Sequence, residues 1–351
     1  MAEREWLRLR PARAEDTEAL YALARQTGGG LTTLPADRAV LERRVTWSLK
    51  SFAKTRGQAA EDYYLFVAED PTTGAVVGTT GIFARVGLSR PFYSYRLLHL
   101  TQVSNDPEKI VHTQLLQLVN DYAGATELGT LFLHPDWRGG RFGALLSKGR
   151  FVFMKAESWR FSDKVMAEIR GWLDENGDSP FWEAIGRHFF DMPFLEADRL
   201  SGMGNSQFIA DLMPKFPIYT NLLPKAARAV IGKPHRDARG AVRLLEEEGF
   251  RFAGAVDIFD AGPCYDAPFE TIRTLRKTRC VVVETVAPVA QERGARRLIG
   301  FAGPEGFCLT LAHVGVHPDG LVLPPEVADI LGCREGDAVY AAPLGPRGVR
   351  R

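Results

Sequence analysis

The sequence predicts a mixed α/β (α+β) protein of two related lobes, the second abbreviated, followed by a small C-terminal β-barrel. Three observations predict it. The first part of the chain reads β, two helices, then a meander of strands, one of which runs into a Gly- and Arg-rich turn that opens a helix. A short amphipathic helix, a Gly near its end and an aromatic residue leading on occur twice, around 179–190 and around 241–252. From about Val281 the pattern changes to short strands around one short helix. The chain has 351 residues. At roughly 150 residues per domain, that length accommodates a division at 1–174, 175–280 and 281–351.

Leu7-Arg-Leu-Arg alternates as a strand and Pro11 stops it. Asp16 is placed to cap a helix carrying Ala19, Leu20, Leu23 and Ala24 on one side, and Asp37 a second with Leu41, Val45, Leu49 and Phe52. Between them, Gly28-Gly-Gly30 is either a hinge or part of a substrate loop. Residues 63–69 and 75–83, joined by Asp70-Pro-Thr-Thr-Gly74, read as a β-hairpin. Further strands are expected near 93–103, at 126–134 and at 163–170. Trp182, Phe189 and Phe190 read as core, His188 as a packing residue, and Glu246-Glu-Glu248 as a solvated helix face. In the tail, strands are expected at 281–286, 307–312, near 320–323 and near 335–343.

Lys and Arg total 44 against 43 Asp and Glu, a net charge of +1, and apolar residues make up 45%. That balance excludes a disordered chain and gives no support to nucleic-acid binding through bulk positive charge. Cys264, Cys280, Cys308 and Cys333 contain no C-x-x-C pair, so neither a zinc knuckle nor a disulfide framework is expected and no metal is called for. The start lacks an apolar signal region, and no uncharged stretch approaches the ~20 apolar residues of a membrane span. A cytoplasmic protein with no membrane partner is expected. Glycine is in excess, 34 residues, and should mark sharp turns and close approaches.

The segment Pro135-Asp-Trp-Arg138-Gly139-Gly140-Arg141-Phe142-Gly143 leads from a strand into a helix. A turn of this kind presents backbone N–H groups and the positive end of a helix dipole, a seat for pyrophosphate. With the Phe-Trp-x-x-x-Gly helix that follows, it resembles the GNAT acyl-CoA transferases, whose turn reads Arg/Gln-x-x-Gly-x-Gly/Ala. Arg138 and Gly143 fit that pattern, and Arg141 stands where its middle glycine would be. Longer blocks resemble the arginine N-succinyltransferase family: Leu31 to Asp37, Thr130 to Gly140, Ala167 to Gly171, Ser179 to Glu183, Gly186 to Met192, Phe208 to Pro214, Pro217 to Tyr219 and Asp257 to Pro263. The resemblance runs in register from about Leu7 to Arg279 and more loosely to about Pro343.

The resemblance implies transfer of succinyl from succinyl-CoA to the α-amino group of L-arginine, the first step of arginine breakdown by the succinyl route. Succinyl-CoA is then a co-substrate, and no permanently bound cofactor is implied. Leu131 would contact succinyl-CoA, with Arg138, Gly139, Gly140 and Gly143 at its phosphates. His235, in Ile231-Gly-Lys-Pro-His235, matches the family's catalytic proton donor. Trp182 stands where many GNAT enzymes carry a Tyr acid, and its indole cannot serve as that acid. A guanidinium needs a carboxylate and a succinyl carboxylate needs a cation. Glu183, Asp257 and Asp260 are candidates for the first, Arg170 and Arg90 for the second. An ornithine-preferring paralogue is the second enzyme reading, and a homo-oligomer or a hetero-oligomer with a paralogue is compatible with either. A regulatory binding protein is the reading from another class, because 321–337 resembles small swapped-hairpin barrels of some transcriptional regulators.

Overall fold

The computed structural model describes residues 6–27, 31–139, 141–202, 212–290, 294–318 and 320–344. Strand β1 (Arg8–Pro11) leads to helices α1 (Thr17–Ala24) and α2 (Arg38–Phe52). Asp37 caps α2 as expected, its carboxylate accepting the Val40 N–H at 2.9 Å. Asp16 stands at the start of α1, but its carboxylate is not a cap. It binds the Arg10 guanidinium at 2.7 and 2.9 Å. On α2, Leu41 and Val45 are buried as expected, whereas Leu49 is exposed.

The predicted hairpin is β2 (Tyr63–Glu69) with β3 (Val76–Phe83). The single strand expected near 93–103 proves to be half of a long second hairpin, β4 (Ser94–Asn105) with β5 (Glu108–Val119). The strand β6 (Thr126–Leu133), helix α3 (Phe142–Ala156) and strand β7 (Lys164–Glu168) follow. Short helices α4 (Pro180–Ala184) and α5 (Gly186–Phe190), helix α6 (Phe194–Gly202), the two-residue β8 (Ile218–Tyr219) and α7 (Lys225–Val230) come next. Helix α8 (Arg239–Glu248), β9 (Arg251–Val256), β10 (Pro263–Pro268) and the short α9 (Arg273–Lys277) complete this part.

The main sheet runs β1-β2-β3-β6-β7-β10-β9-β4-β5-β8. Among the described residues, only β6 and β7 pair in parallel within it. Strand β10 pairs antiparallel with β7 from Cys264↔Glu168 to Pro268↔Lys164. Helix α3 lies against this sheet and fills the largest core with Leu145, Leu146, Phe151, Val152, Phe153 and Met154. A second core gathers Tyr95, Phe181, Trp182, Phe194 and Val256.

The C-terminal strands are β11 (Arg279–Val286), β12 (Ala295–Gly303), β13 (Gly306–Val316), β14 (Leu321–Leu323) and β15 (Ala338–Pro343). They pair in the ring 11-15-12-13-14-11, a small closed barrel with its own core around Val283, Ile299, Val314 and Val327. Helix α10 (Pro325–Leu331) packs on it. The barrel joins the main sheet where β13 meets β1 at Leu9↔Leu309. Among the described residues, no helix is long and apolar enough to cross a membrane.

One expectation is corrected by the α8–α3 contact. Glu248, read as solvated, is buried; its carboxylate accepts the Thr274 N–H at 2.6 Å and the Thr274 hydroxyl at 2.8 Å, and lies 3.3 Å from Lys148 Nζ. Helix α9 folds over that end of α8 and removes it from water. Glu248→Ala leaves the Thr274 N–H unpaired and weakens the charge balance around Lys148, which keeps Glu247 at 2.9 Å. We expect a loss of about 3 kcal/mol in urea unfolding with an unchanged m-value.

Candidate active site

Strands β6 and β7 pair only at Thr126↔Val165 and Glu127↔Met166. Beyond those residues β6 stays with β3 and β7 with β10, so a cleft opens toward the C-terminal ends of both strands. Ligands in open α/β sheets bind at such a parting of strands. A bulge accompanies the parting: Thr130 and Leu131 together oppose Thr80. Thr130 has φ +55, an uncommon conformation for a β-branched residue. It is held there by the Thr33 hydroxyl, which accepts its N–H at 2.9 Å, and by the Tyr63 hydroxyl at 2.8 Å. Gly81 leaves room for this arrangement, since a Cβ there would stand 2.9 Å from Thr130 Oγ1. Leu131 is half-buried in the bulge.

The C-terminal end of β6 passes through a single 3₁₀ turn, Pro135–Trp137, into the start of α3. Buried Trp137 anchors the turn, and Arg138 Nε donates to the Leu133 carbonyl at 3.2 Å. Gly139 has φ +106 and Arg141 φ +66. The arginine in place of the pattern's glycine therefore adopts the left-handed conformation that glycine would take freely. Gly140 lies outside the described residues, as do Gly28, Gly29 and Gly30. A Cβ on Gly139 or Gly143 would meet nothing within 4 Å, so the space at the N-terminus of this 15-residue helix is open.

The C-terminal end of β7 leads to Arg170 and Gly171. Here His235 is fastened: its N–H donates to the Arg170 carbonyl at 2.8 Å, and Pro234 forms a β-bridge with Gly171. The His235 side chain is only 12% exposed. Its Nδ1 lies 3.2 Å from the Asp237 backbone N and 3.6 Å from Asp237 Oδ2, leaving Nε2 to face other groups. Burial and the neighbouring Arg170 charge hold the imidazole pKa below its ordinary 6.5, against a smaller opposing pull from Asp237. Arg170 Nε is buried without a hydrogen-bond partner among the described residues.

Around the root of the cleft the structure collects acids that sequence reading found only in part. Asp257 and Asp260 were candidates; Glu127 on β6 and Glu168 on β7 were not. All four have raised pKa values through burial. Glu127 is pushed up to about 7, with the Asp257 charge adding to the effect and Arg44 opposing it. Glu168 and Asp260 lie well above the usual carboxylate range, with Asp257 reinforcing burial in each. Asp257 is raised by burial despite the backbone N–H groups that favour its charge. The available signal was a Glu inside an otherwise apolar strand, in Thr126-Glu-Leu and in Val165-Met-Ala-Glu-Ile. Among the described residues, no three His, Cys, Asp or Glu side chains are arranged to hold a metal ion.

Glu183 is exposed on α4, and Arg90 is exposed on the loop after β3. Trp182 is fully buried, stacked between Phe190 and Phe259, and its indole N–H donates to the Met192 carbonyl at 2.9 Å. Phe190 is core as expected, whereas Phe189 and His188 are exposed on α5, turned away from the Trp182 stack by the helix.

The family model described as arginine N-succinyltransferase beta subunit matches residues 7–274, and the model of that subunit's C-terminal domain matches 279–343. The arginine N-succinyltransferase of Enterobacter sp. (strain 638) is 44% identical over 338 residues, 96% of this chain and 98% of the relative. That of Escherichia coli (strain 55989 / EAEC) is 43% identical over 331 residues, covering 94% and 96%. The solved structure of arginine/ornithine succinyltransferase subunit AI from Pseudomonas aeruginosa superposes with a TM-score of 0.88 at 33% identity, covering 97% of this chain and 100% of that one. This chain is an acyltransferase and belongs to the arginine N-succinyltransferase family.

Proposed function

We propose that the β6–β7 cleft transfers succinyl from succinyl-CoA to the α-amino group of L-arginine, giving N2-succinyl-L-arginine and CoA. One observation carries the reading: the cleft has the open, positive N-terminus of α3 on one side and a set of buried carboxylates around its root. The first suits a pyrophosphate, seated on the Arg138–Gly143 turn. The second suits an acceptor with two cationic groups, because a cation that joins buried carboxyl groups favours their charged forms. Glu127, Glu168 and Asp257 are assigned to that acceptor. Arg170, beside His235, is assigned to the succinyl carboxylate.

The reaction has a direct course in a ternary complex. The ammonium of arginine loses one proton to water, and the free amine adds to the thioester carbon. The Leu131 N–H, in the bulge, stabilises the oxyanion. His235 Nε2 takes the second proton from the nitrogen and returns it to sulfur as the C–S bond breaks. Holding both reactants in one cleft supplies much of the remaining acceleration. The test is CoA thiol release with succinyl-CoA and either L-arginine or L-ornithine. We expect kcat/KM to be higher with arginine; equal or better turnover of ornithine overturns the acceptor assignment.

The acids also give a pH signature. With a folded pKa of about 7 against 4.5 unfolded, Glu127 contributes stability that is complete below 4.5 and is lost as pH rises through about 7. The unliganded protein should therefore lose Tm between about pH 4.5 and about pH 7 and level off above that, and L-arginine should raise Tm more above pH 7 than at pH 5. An arginine shift independent of pH removes these carboxylates from acceptor binding.

A further inference from the structure

Asp260 is 7% exposed and tied on both oxygens. Its Oδ1 accepts the Gly262 N–H at 2.8 Å and its Oδ2 accepts the Gly171 N–H at 2.6 Å. The turn that carries it is fixed in turn by Asp257, whose Oδ1 accepts the N–H groups of Phe259 and Asp260 at 2.6 and 2.9 Å. Ala261 sits at φ +54. Backbone meets backbone here: a Cβ on Gly262 would stand 2.0 Å from the Ile169 carbonyl, and one on Gly171 2.4 Å from the Asp260 carbonyl.

What this turn grips is the strap that holds His235. The Ala261 carbonyl accepts the Gly232 N–H at 2.9 Å, just before the histidine. Gly171, held by Asp260, bridges Pro234, and the adjacent Arg170 carbonyl accepts the His235 N–H at 2.8 Å. The chain leading into the histidine is thus fastened to one turn directly at Gly232 and, through Gly171, at Pro234, while among the described residues the His235 side chain makes no hydrogen bond or ion pair with that turn's carboxyl groups. Both Asp260 oxygens are directed at backbone N–H groups, which suits holding the chain better than receiving a substrate guanidinium.

We infer that Asp260 is a positioning residue: through Gly171 it fixes the Lys233–His235 strap so that the imidazole keeps its place at the cleft. The inference rests on the reading of His235 as the proton-transfer group. A displacement of about 1 Å in a catalytic group lowers turnover about a hundredfold, and an Asn at 260 turns an NH₂ against one of the two backbone N–H groups.

The test is a cycle of Asp260→Asn, His235→Ala and the double variant, assayed with succinyl-CoA and L-arginine. We expect Asp260→Asn to lower kcat about a hundredfold, to leave both KM values within about threefold, and to move the acid limb of the kcat/KM profile toward 6.5 as the ring gains solvent. The double variant should be no slower than His235→Ala alone, within about threefold, since Asp260 acts only through the histidine. A rise in KM for arginine, or losses that multiply in the double variant, overturns the inference and makes Asp260 an acceptor-binding residue. Unchanged kcat in His235→Ala is the separate result that removes the histidine itself. Should Asp260→Asn fail to fold, Pro234→Gly loosens the same strap at its half-buried middle residue. Loss of kcat at constant KM supports the inference, and wild-type kcat overturns it.

Discussion

Replacing His235 with Ala lowers kcat by about 10²- to 10⁴-fold while CoA affinity, measured by calorimetry, stays near that of the unaltered protein. The split follows from placement. His235 hangs on the strap beside the C-terminal end of β7, whereas the turn proposed to seat the phosphates belongs to the far wall, after β6. The pH dependence provides an independent check. Burial and Arg170 keep the ring neutral at pH 7, so the acid limb of kcat/KM should inflect below 6.5 and should vanish in His235→Ala. A wild-type kcat in the variant, or an acid limb that survives the substitution, removes His235 from the proton path. The residual rate should still exceed that in water, because binding both reactants and the backbone at the bulge do not depend on the imidazole.

The features legible in the sequence are those with a short-range cause. The Asp37 cap, the Asp70–Gly74 hairpin turn and the strand-to-helix turn at Arg138–Gly143 each lie within a few residues, and each forms where expected. The long strand β5 was hidden because most of β4–β5 is a two-stranded ribbon, wet on both faces, so its apolar and polar residues do not alternate cleanly. Strand β12 was hidden by Arg296 and Arg297 at its start. The acids of the cleft were harder still. Glu127 and Glu168 become neighbours only because β6 and β7 pair in parallel at two positions and then part. Asp257 and Asp260 join them only because β10 adds to β7 from about a hundred residues further along the chain. Such non-local pairing leaves no periodic mark. The same physics explains Glu248, whose exposure was judged from its own helix although α9 folds over it.

Arg10→Ala should be among the most destabilising single substitutions in this protein, at about 3–5 kcal/mol. Arg10 is 3% exposed and lies on β1, the strand that couples the main sheet to the barrel through Leu9↔Leu309. Its guanidinium reaches Asp16 at 2.7 and 2.9 Å and Glu69 at 2.6 Å, so one buried cation serves two carboxylates. Alanine leaves both acids in a dry site with no counter-charge, which is a different defect from losing a surface pair. Arg10→Lys restores the charge but not the forked geometry, and should recover only part of the loss. Asp16 also accepts the Arg13 N–H at 2.7 Å, so the defect spreads to the start of α1. Urea unfolding of the three proteins at pH 7 decides the matter. A loss below about 1 kcal/mol for Arg10→Ala means that water or other cations reach Asp16 and Glu69 in the native state.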